Sequence, residues 1–424
     1  MSVLLGCIAD DFTGGTDLAN TLVRQGMRTV QINGLPSGPL SLPATDALIV
    51  SLKCRSVEPA SAVHMCREAL TWLRQQGCRQ FFWKYCSTFD STAQGNIGPV
   101  AEALLEDLGA PLTLVCPAFP ENKRTIYKGR LFVGDVLLDE STMRFHPVTP
   151  MTDSNLVRLL APQVKGKVGL LPWETVRQGH EAIRAAFDDL TFAGIKFAVA
   201  DALTDDDLMS LGRACDDALL ITGGSGIAMG LPANYRRQGF MPSNMPDNLL
   251  PWKPGPAVIL SGSCSEATLG QLTALSRHGY PTQRIDPLQL ESASYRENLI
   301  AWAVNHLGPL PVVVHAGAEA SIISVIQQKM GKEASGRFIE SALSRLAVAL
   351  KQAGARHFIV AGGETSGAVV QALGVQGMRI GAQIAPGVPW TFTLDESPLS
   401  LALKSGNFGG QDFFTCALDM LPSV

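Results

Sequence analysis

The sequence lacks the features that mark several large classes of protein. No stretch approaches 18 consecutive apolar residues, so no transmembrane helix is predicted. No long basic run occurs, and the formal net charge is -4, which argues against nucleic-acid binding. The apolar segment near the start has no basic residue before it and two aspartates after it, which predicts a buried strand and not a signal peptide.

Metal clusters and disulfides are not indicated either. The nine cysteines contain no C-x-x-C pair, and the seven histidines show no metal or triad spacing. We therefore name no metal-ligating residue. An odd number of cysteines, mostly in apolar segments, predicts reduced and buried thiols in a cytoplasmic protein.

The chain does have enough apolar residues for a large core, 46% against 17% charged, and its 424 residues predict two or three domains. Its first half alternates short β-rich runs with helical patterns, which predicts βαβ units and a parallel sheet. The predicted helices span residues 60–73 and 100–108. The predicted strands are residues 3–8, 47–52, 80–84, 112–116, 167–171, 196–200 and 219–222.

A proline-rich segment without periodicity, residues 236–256, predicts a linker. A second α/β unit follows it. Its predicted helices are 266–277 and 336–353, and its predicted strands are 257–260, 312–314, 358–361, 391–394 and 399–403, the last two forming a pair. The chain is thus predicted to be an α/β protein of two domains, residues 1–235 and 257–424, each built on a mainly parallel sheet flanked by helices.

Polar residues follow the predicted strands of the first half, where an open parallel sheet binds its ligands. Carboxylates there suit substrate hydroxyls, and basic groups suit a carboxylate, so together they predict a sugar-acid pocket. Helix capping by Thr16 or Asp17 is the plainer alternative, but it would explain only one residue. The candidates are Asp10, Asp11, Thr13, Asp17, Arg55, Lys84, Asp90, Ser91 and Thr92.

Two glycine-rich turns in the second half lead from a strand into a helix, where free N–H groups favour a phosphate. One contains Ser261, Gly262 and Ser263, with a predicted capping box between Ser263 and Glu266. The other contains Gly362, Gly363, Glu364, Thr365 and Ser366. A third turn, residues 404–410, either completes a nucleotide site or is a plain loop. No P-loop and no strand-coupled G-x-G-x-x-G fingerprint occurs.

These segments resemble the four-carbon acid sugar kinase family. Residues 8–17, Ile-Ala-Asp-Asp-Phe-Thr-Gly-Gly-Thr-Asp, are similar to its ADDFTGATD signature, with Gly15 in place of the usual alanine. The three turns of the second half are similar to its nucleotide-domain motifs. Residues 83–92 and 95–98 look most like the 3-oxo-tetronate 4-kinases, while threonate and erythronate kinases share the scaffold and stay alternatives.

The resemblance implies an N-terminal acid-sugar domain and a C-terminal ATP domain, with the active site in the cleft between them. It implies phosphorylation of a terminal hydroxyl with ATP and Mg²⁺. By motif matching, the nucleotide contacts fall on Ser261 or Ser263, on residues 363–366, and on Gly406.

In the expected mechanism, Arg55 and Lys84 hold the substrate carboxylate, and one of Asp10, Asp11 or Asp90 orients or deprotonates the hydroxyl. Glycine-turn N–H groups cradle the ATP phosphates, which Mg²⁺ bridges. A homodimer is left open. Two other classes compete: a nucleotide-dependent hydroxy-acid oxidoreductase, and a sugar-acid sensor without catalysis.

Overall fold

Strands and helices alternate along both halves of the chain. The computed structural model describes residues 3–36, 38, 40–146, 149–242, 252–318, 328–329 and 331–422. These fall into two compact units, Met1–Asp247 and Asn248–Val424. Nine residues of the predicted linker, 243–251, lie outside the described residues. No described helix combines the length and the apolar character that crossing a membrane would require.

The first unit contains eleven strands and eight α-helices among its described residues. In chain order they are β1 (Leu5–Ala9), α1 (Phe12–Arg24), β2 (Thr29–Asn33), β3 (Ala47–Ser51), α2 (Pro59–Gln75), β4 (Gln80–Lys84), α3 (Ile97–Leu108), β5 (Thr113–Cys116), β6 (Arg124–Tyr127), β7 (Arg130–Val133), β8 (Val136–Leu137), α4 (Leu156–Leu160), β9 (Lys167–Leu171), α5 (Trp173–Val176), α6 (His180–Phe192), β10 (Ile195–Ala200), α7 (Asp205–Ala214), β11 (Leu220–Gly223) and α8 (Leu231–Arg237).

Eight of these strands form one parallel sheet in the order β2-β3-β1-β4-β11-β5-β10-β9. Leu5 pairs with Ala47 on one side and with Gln80 on the other, so β1 lies between β3 and β4. All five residues of β1 are buried, because helices cover both faces of such a sheet. The carboxyl ends of β1, β3, β4 and β11 therefore lie side by side, as the strand alternation predicts.

The described residues of the second unit form seven strands and five α-helices with defined bounds; residues 328–329 are not counted in any of them. They are β12 (Ala257–Ser261), α9 (Glu266–Ser276), β13 (Thr282–Arg284), α10 (Ala293–Asn305), β14 (Val312–His315), α11 (Lys332–Gln352), β15 (His357–Ala361), α12 (Gly363–Ala372), β16 (Gly377–Ala385), β17 (Val388–Thr393), β18 (Ser400–Lys404) and α13 (Phe413–Asp419).

The sheet of this unit has the order β13-β14-β12-β15-β18-β17-β16. The first five strands are parallel, and β17 and β16 add an antiparallel edge. The predicted pairing of residues 391–394 with 399–403 is confirmed, since Thr391 lies opposite Leu401. Val258 and Leu260 pack into the core cluster under α11, while Ile259 packs into the opposite cluster with Trp390.

Candidate active site

The two adjacent aspartates after β1 are held by one arginine. Nε and Nη2 of Arg55 donate to the carboxylate of Asp10 at 2.7 and 2.9 Å, and Nη2 also lies 2.9 Å from Oδ1 of Asp11. The Asp10 carbonyl accepts from the N–H groups of Cys54 and Arg55. Burial raises the pKa of Asp10 although Arg55 opposes that effect. Asp10 is 2% exposed, and Arg55 donates to both of its carboxylate oxygens, which ties the loop after β1 to the one after β3.

Asp11 is the residue that caps α1. Its carboxylate accepts from the Gly14 N–H at 2.7 Å and from the Thr13 hydroxyl at 2.9 Å. Burial acts to raise the pKa of Asp11, but Arg55, Lys84 and these two hydrogen bonds together lower it. The alternative of a cap at Thr16 or Asp17 is wrong, because the helix already begins at Phe12. Asp17 thereby falls on the second turn of the helix.

Asp17 has one carboxylate oxygen without a partner among the described residues. Its Oδ2 accepts from the Ser225 hydroxyl at 2.5 Å, and its Oδ1 is buried and accepts no hydrogen bond there. Burial raises the pKa of Asp17 to about 6, against the opposing effects of Lys84 and Ser225. Ser225 follows β11, and Asp17 lies on α1, which follows β1. Because β4 pairs with both β1 and β11, the strand order brings these two residues close together.

Lys84 ends β4 and is 3% exposed. Its Nζ donates to the Tyr85 carbonyl at 2.9 Å. A Cβ on Gly14 would lie 3.3 Å from that Nζ and 2.3 Å from Oδ1 of Asp11, so glycine is needed where the helix meets this charge. The predicted partner of Lys84, Arg55, faces the two aspartates instead, and the third basic residue after a strand, Lys53, is exposed.

The loop after β4 turns through Phe89, which has a left-handed backbone with φ of 50°. Asp90 next to it accepts from the Thr88 hydroxyl at 2.6 Å and is 9% exposed. Ser91 is 1% exposed and donates to Gln163 at 3.0 Å, a bond that ties the loop to its surroundings. The Thr92 hydroxyl accepts from the Gln94 N–H within the same loop.

Arg124 belongs to this region and was not among the predicted site residues. Its loop, residues 116–124, was expected either to close the pocket or to be a plain proline-stiffened loop. Arg124 begins β6, and burial lowers its pKa, while Cys86 and Asp90 act in the opposite direction. Its Nε is buried without a hydrogen-bond partner among the described residues, while its Nη1 donates to the Asn122 carbonyl. The sequence signal was only an arginine at the end of a proline-rich loop, which surface arginines share.

The three glycine-rich turns of the second unit line one cavity of about 270 Å³. The first turn contributes Gly262 and Ser263, and the third contributes Gly406. The second turn contributes Gly362, Gly363, Glu364 and Thr365, while α11 adds three residues that the sequence analysis did not anticipate, Gly336, Ile339 and Glu340. The convergence favours the prediction that the third turn completes the site.

The first turn differs from its predicted form in one respect. The N-cap of α9 is Ser265, whose hydroxyl accepts from the Thr268 N–H, so the capping box predicted between Ser263 and Glu266 is wrong. The helix begins two residues later than that motif requires. The Ser263 hydroxyl instead accepts from the Ser265 N–H at 3.2 Å. Ser261 is fully buried at the end of β12, and its hydroxyl has no partner among the described residues.

The second turn opens directly into α12. Gly362 has φ of 120°, a conformation that favours glycine, and it provides no side-chain cap. The N–H groups of a first helical turn have no acceptor within their helix and attract anions. A Cβ on Gly363 would meet nothing within 4 Å, so the helix start is open. Ser366 is different, because it is fully buried and its hydroxyl donates to the Val360 carbonyl.

Family models match both halves of the chain. A sugar-binding N-terminal domain matches residues 5–231, and a nucleotide-binding C-terminal domain matches residues 258–414. A curated 3-oxo-tetronate kinase of Cupriavidus necator is 54% identical over 99% of this chain and 97% of its own length. One of Salmonella typhimurium is 45% identical over 97% of each chain.

Solved structures of similar proteins share the fold. A crystal structure from Salmonella typhimurium has a TM-score of 0.89 and 45% identity, covering 99% of each chain. A Haemophilus influenzae protein has a TM-score of 0.81 and 44% identity, covering 98% of this chain and all of its own. The curated relatives give no support to the oxidoreductase alternative. The chain therefore belongs to the family of two-domain kinases that includes the 3-oxo-tetronate kinases.

Proposed function

We propose that this chain is an ATP-dependent kinase that phosphorylates the terminal, 4-hydroxyl group of a four-carbon sugar acid, with 3-oxo-tetronate as its substrate. The observation that carries the proposal is the convergence of three glycine-rich turns on one cavity in a chain that matches 3-oxo-tetronate kinases over 99% of its length. Phosphoryl transfer asks the protein mainly for positioning and charge stabilisation, which such turns supply.

The acceptor side is assigned to the first unit. Arg55 is held by Asp10 and Asp11, so Lys84 and Arg124 are better suited to bind the substrate carboxylate. Lys84 is buried and Arg124 half-buried, and Arg124 keeps a buried Nε without a partner among the described residues. A carboxylate would provide the acceptor that this Nε otherwise lacks.

Asp17 is the best-suited proton acceptor in this unit. The earlier candidates already hold other donors: Asp10 binds Arg55, Asp11 caps α1, and Asp90 accepts from Thr88. Asp17 alone among these four has a buried oxygen without a partner among the described residues. Its pKa of about 6 keeps it ionised at neutral pH and close to the operating range of a general base.

The donor side is assigned to the cavity of the second unit. Glycine lets its turns pack closely: a Cβ on Gly262 would lie 2.2 Å from Oγ1 of Thr365, and one on Gly406 would lie 2.7 Å from Oγ of Ser263. The start of α12, which has no side-chain cap, offers the free N–H groups that suit a phosphate. Bound ATP supplies the phosphoryl group. No group of three or more His, Cys, Asp and Glu in the described ranges could hold a metal ion, so we name no protein ligand for Mg²⁺.

A coupled ADP-release assay tests the proposal. The purified chain is given ATP and Mg²⁺ with 3-oxo-tetronate, threonate or erythronate in turn, each as its D and its L enantiomer. Release of ADP with 3-oxo-tetronate in preference to the others is expected, with the phosphate found on the terminal oxygen by ³¹P NMR. A folded protein that phosphorylates none of these acids would overturn the proposal, and a preference for threonate or erythronate would move the substrate assignment within the family.

A further inference from the structure

A buried lysine begins the third turn of the nucleotide cavity. Lys404 ends β18 and is fully buried. Its Nζ donates to the Thr268 hydroxyl at 2.9 Å and to the carbonyls of Ser405 and Gly406 at 3.1 and 2.9 Å. The Phe413 ring centroid lies 5.8 Å from the same atom. All of these neighbours are uncharged.

A buried cation with only neutral partners is uncommon, because burial costs more free energy than neutral hydrogen bonds return. Burial alone lowers the pKa of Lys404 to about 8. None of the described ionisable groups on the surrounding elements forms an ion pair with it. The described acidic groups on those elements are Glu266 on α9, Glu340 on α11, Glu364 on α12, Asp412 before α13 and Asp419 on α13. A counter-ion for this lysine is therefore missing from its described surroundings.

The Gly406 carbonyl is held by three donors at once. Besides Lys404, the hydroxyls of Ser265 and Thr268 donate to it at 2.6 and 2.8 Å. In a trans peptide the N–H that follows a carbonyl points the opposite way. Fixing the carbonyls of Ser405 and Gly406 therefore turns the N–H groups of Gly406 and Asn407 away from Lys404.

Those two N–H groups donate to no acceptor in the described part of the chain, and Gly406 lines the cavity. Successive backbone N–H groups that point the same way form a concave site for an anion. We propose that Lys404 is a positioning residue of the nucleotide site, whose ammonium holds the Ser405 and Gly406 carbonyls so that the Gly406 and Asn407 N–H groups bind a nucleotide phosphate. The inference rests on the proposed kinase function, and it makes the phosphate chain the missing counter-charge.

Equilibrium binding of ATP by the unmodified chain, without sugar acid, provides the first test. If only the charged form of Lys404 supports binding, a pKa of about 8 weakens the affinity about tenfold between pH 7 and pH 9. A dissociation constant that stays flat over this range would overturn the proposal. Binding is measured without turnover, so this result can be interpreted even if the kinase assay detects no activity.

Substitution provides the second test. Lys404→Met is expected to raise the dissociation constant and KM for ATP at least tenfold at pH 7, to leave KM for the sugar acid within twofold, and to abolish the pH dependence. Lys351→Met is the matched control. Lys351 lies on α11 and donates to the Leu373 carbonyl at 3.1 Å, so this substitution removes a lysine-to-carbonyl hydrogen bond away from the cavity. Wild-type ATP affinity in a folded Lys404→Met variant would contradict the proposal; if that variant does not fold, the pH titration of the unmodified chain decides.

Discussion

At the scale of single residues, the feature with the clearest chemical consequence is the buried carboxyl group of Asp17. A carboxylate that is buried beside one hydroxyl donor is destabilised relative to water, and its pKa rises accordingly. The second oxygen has no donor among the described residues, so the group is ready to accept one from a ligand. A substrate hydroxyl would both supply that hydrogen bond and provide the proton to be removed.

Asp17→Asn is expected to lower kcat at least about 100-fold, the usual contribution of a general base, while KM for ATP stays near its wild-type value. In the wild type, kcat/KM should fall as the pH drops below about 6, because protonated Asp17 cannot accept the proton. Ser225→Ala serves as the control, since loss of its hydrogen bond should shift this acid limb to higher pH. An acid limb that does not move in Ser225→Ala, or near-normal kcat in Asp17→Asn, would contradict the role.

The carboxyl group of Asp17 also affects stability, and the ionised form that activity requires is the less stable one. The pKa of Asp17 is about 6 in the folded state against 3.8 ordinarily, so the folded state holds the proton more tightly. Stability therefore falls as the pH rises from 4 to 6, and the ionised group costs up to about 3 kcal/mol above that range. Asp17→Asn should raise Tm at pH 8 although it removes activity. A lower Tm at pH 8 than that of the wild type would show that the carboxylate is not destabilised.

Gly15, where the family signature has alanine, makes a second residue-scale prediction. A Cβ at this position would lie 1.9 Å from Oγ and 3.1 Å from Cβ of Ser51. Gly15→Ala should therefore lower the free energy of unfolding by about 1–3 kcal/mol, although alanine is intrinsically better in a helix. In a Ser51→Ala background the loss should be smaller by about 1 kcal/mol. Urea unfolding of the four proteins measures this coupling, and additive effects would contradict the contact.

At the scale of helices and strands, local sequence predicted the elements whose pattern is strong. Strands β4 and β9 coincide with the predicted residues 80–84 and 167–171. The apolar run of β4 marks a strand buried on both faces, whereas β9 lies at the sheet edge and is mostly half-buried. The strand Thr29–Asn33 was missed, because its alternating polar residues look exposed in the sequence. Tertiary packing buries Thr29 and Gln31 and leaves Asn33 half-buried.

The residues of the candidate site divide in the same way, into those that local sequence predicts and those that only tertiary packing brings together. Residues after a strand were predicted to gather because parallel strands end at one edge, and Asp10, Asp11, Arg55 and Lys84 do gather there. Which carboxylate keeps a vacant oxygen was not predictable, since the Ser225 contact with Asp17 spans 208 residues. The contribution of α11 to the cavity was equally hidden, because Gly336 and Ile339 look like ordinary helical residues.

The start of strand β6 provides the prediction at this scale. Arg124→Met should raise KM for the sugar acid about 30-fold, which corresponds to the roughly 2 kcal/mol of a hydrogen bond to a charged group, with kcat and KM for ATP little changed. Arg130→Met, on the exposed start of the neighbouring strand β7, is the matched control. Equal KM values for the two variants, both folded, would exclude Arg124 from carboxylate binding.

At the scale of the whole molecule, the two ligands are assigned to different units, and hydrogen exchange can test this division without turnover. The loop amides at the open cavity should exchange quickly in the free protein, since few acceptors protect them. ATP alone should slow exchange in peptides that cover residues 362–366 and 404–408, and the sugar acid alone should slow exchange around residues 10–17 and 84–92. Adenosine, which has no phosphates, is the control and should leave 404–408 unprotected. Protection of residues 10–17 by ATP with residues 362–366 unchanged would reverse the assignment, because a phosphate bound by the glycine-rich turns must reduce the exposure of their N–H groups.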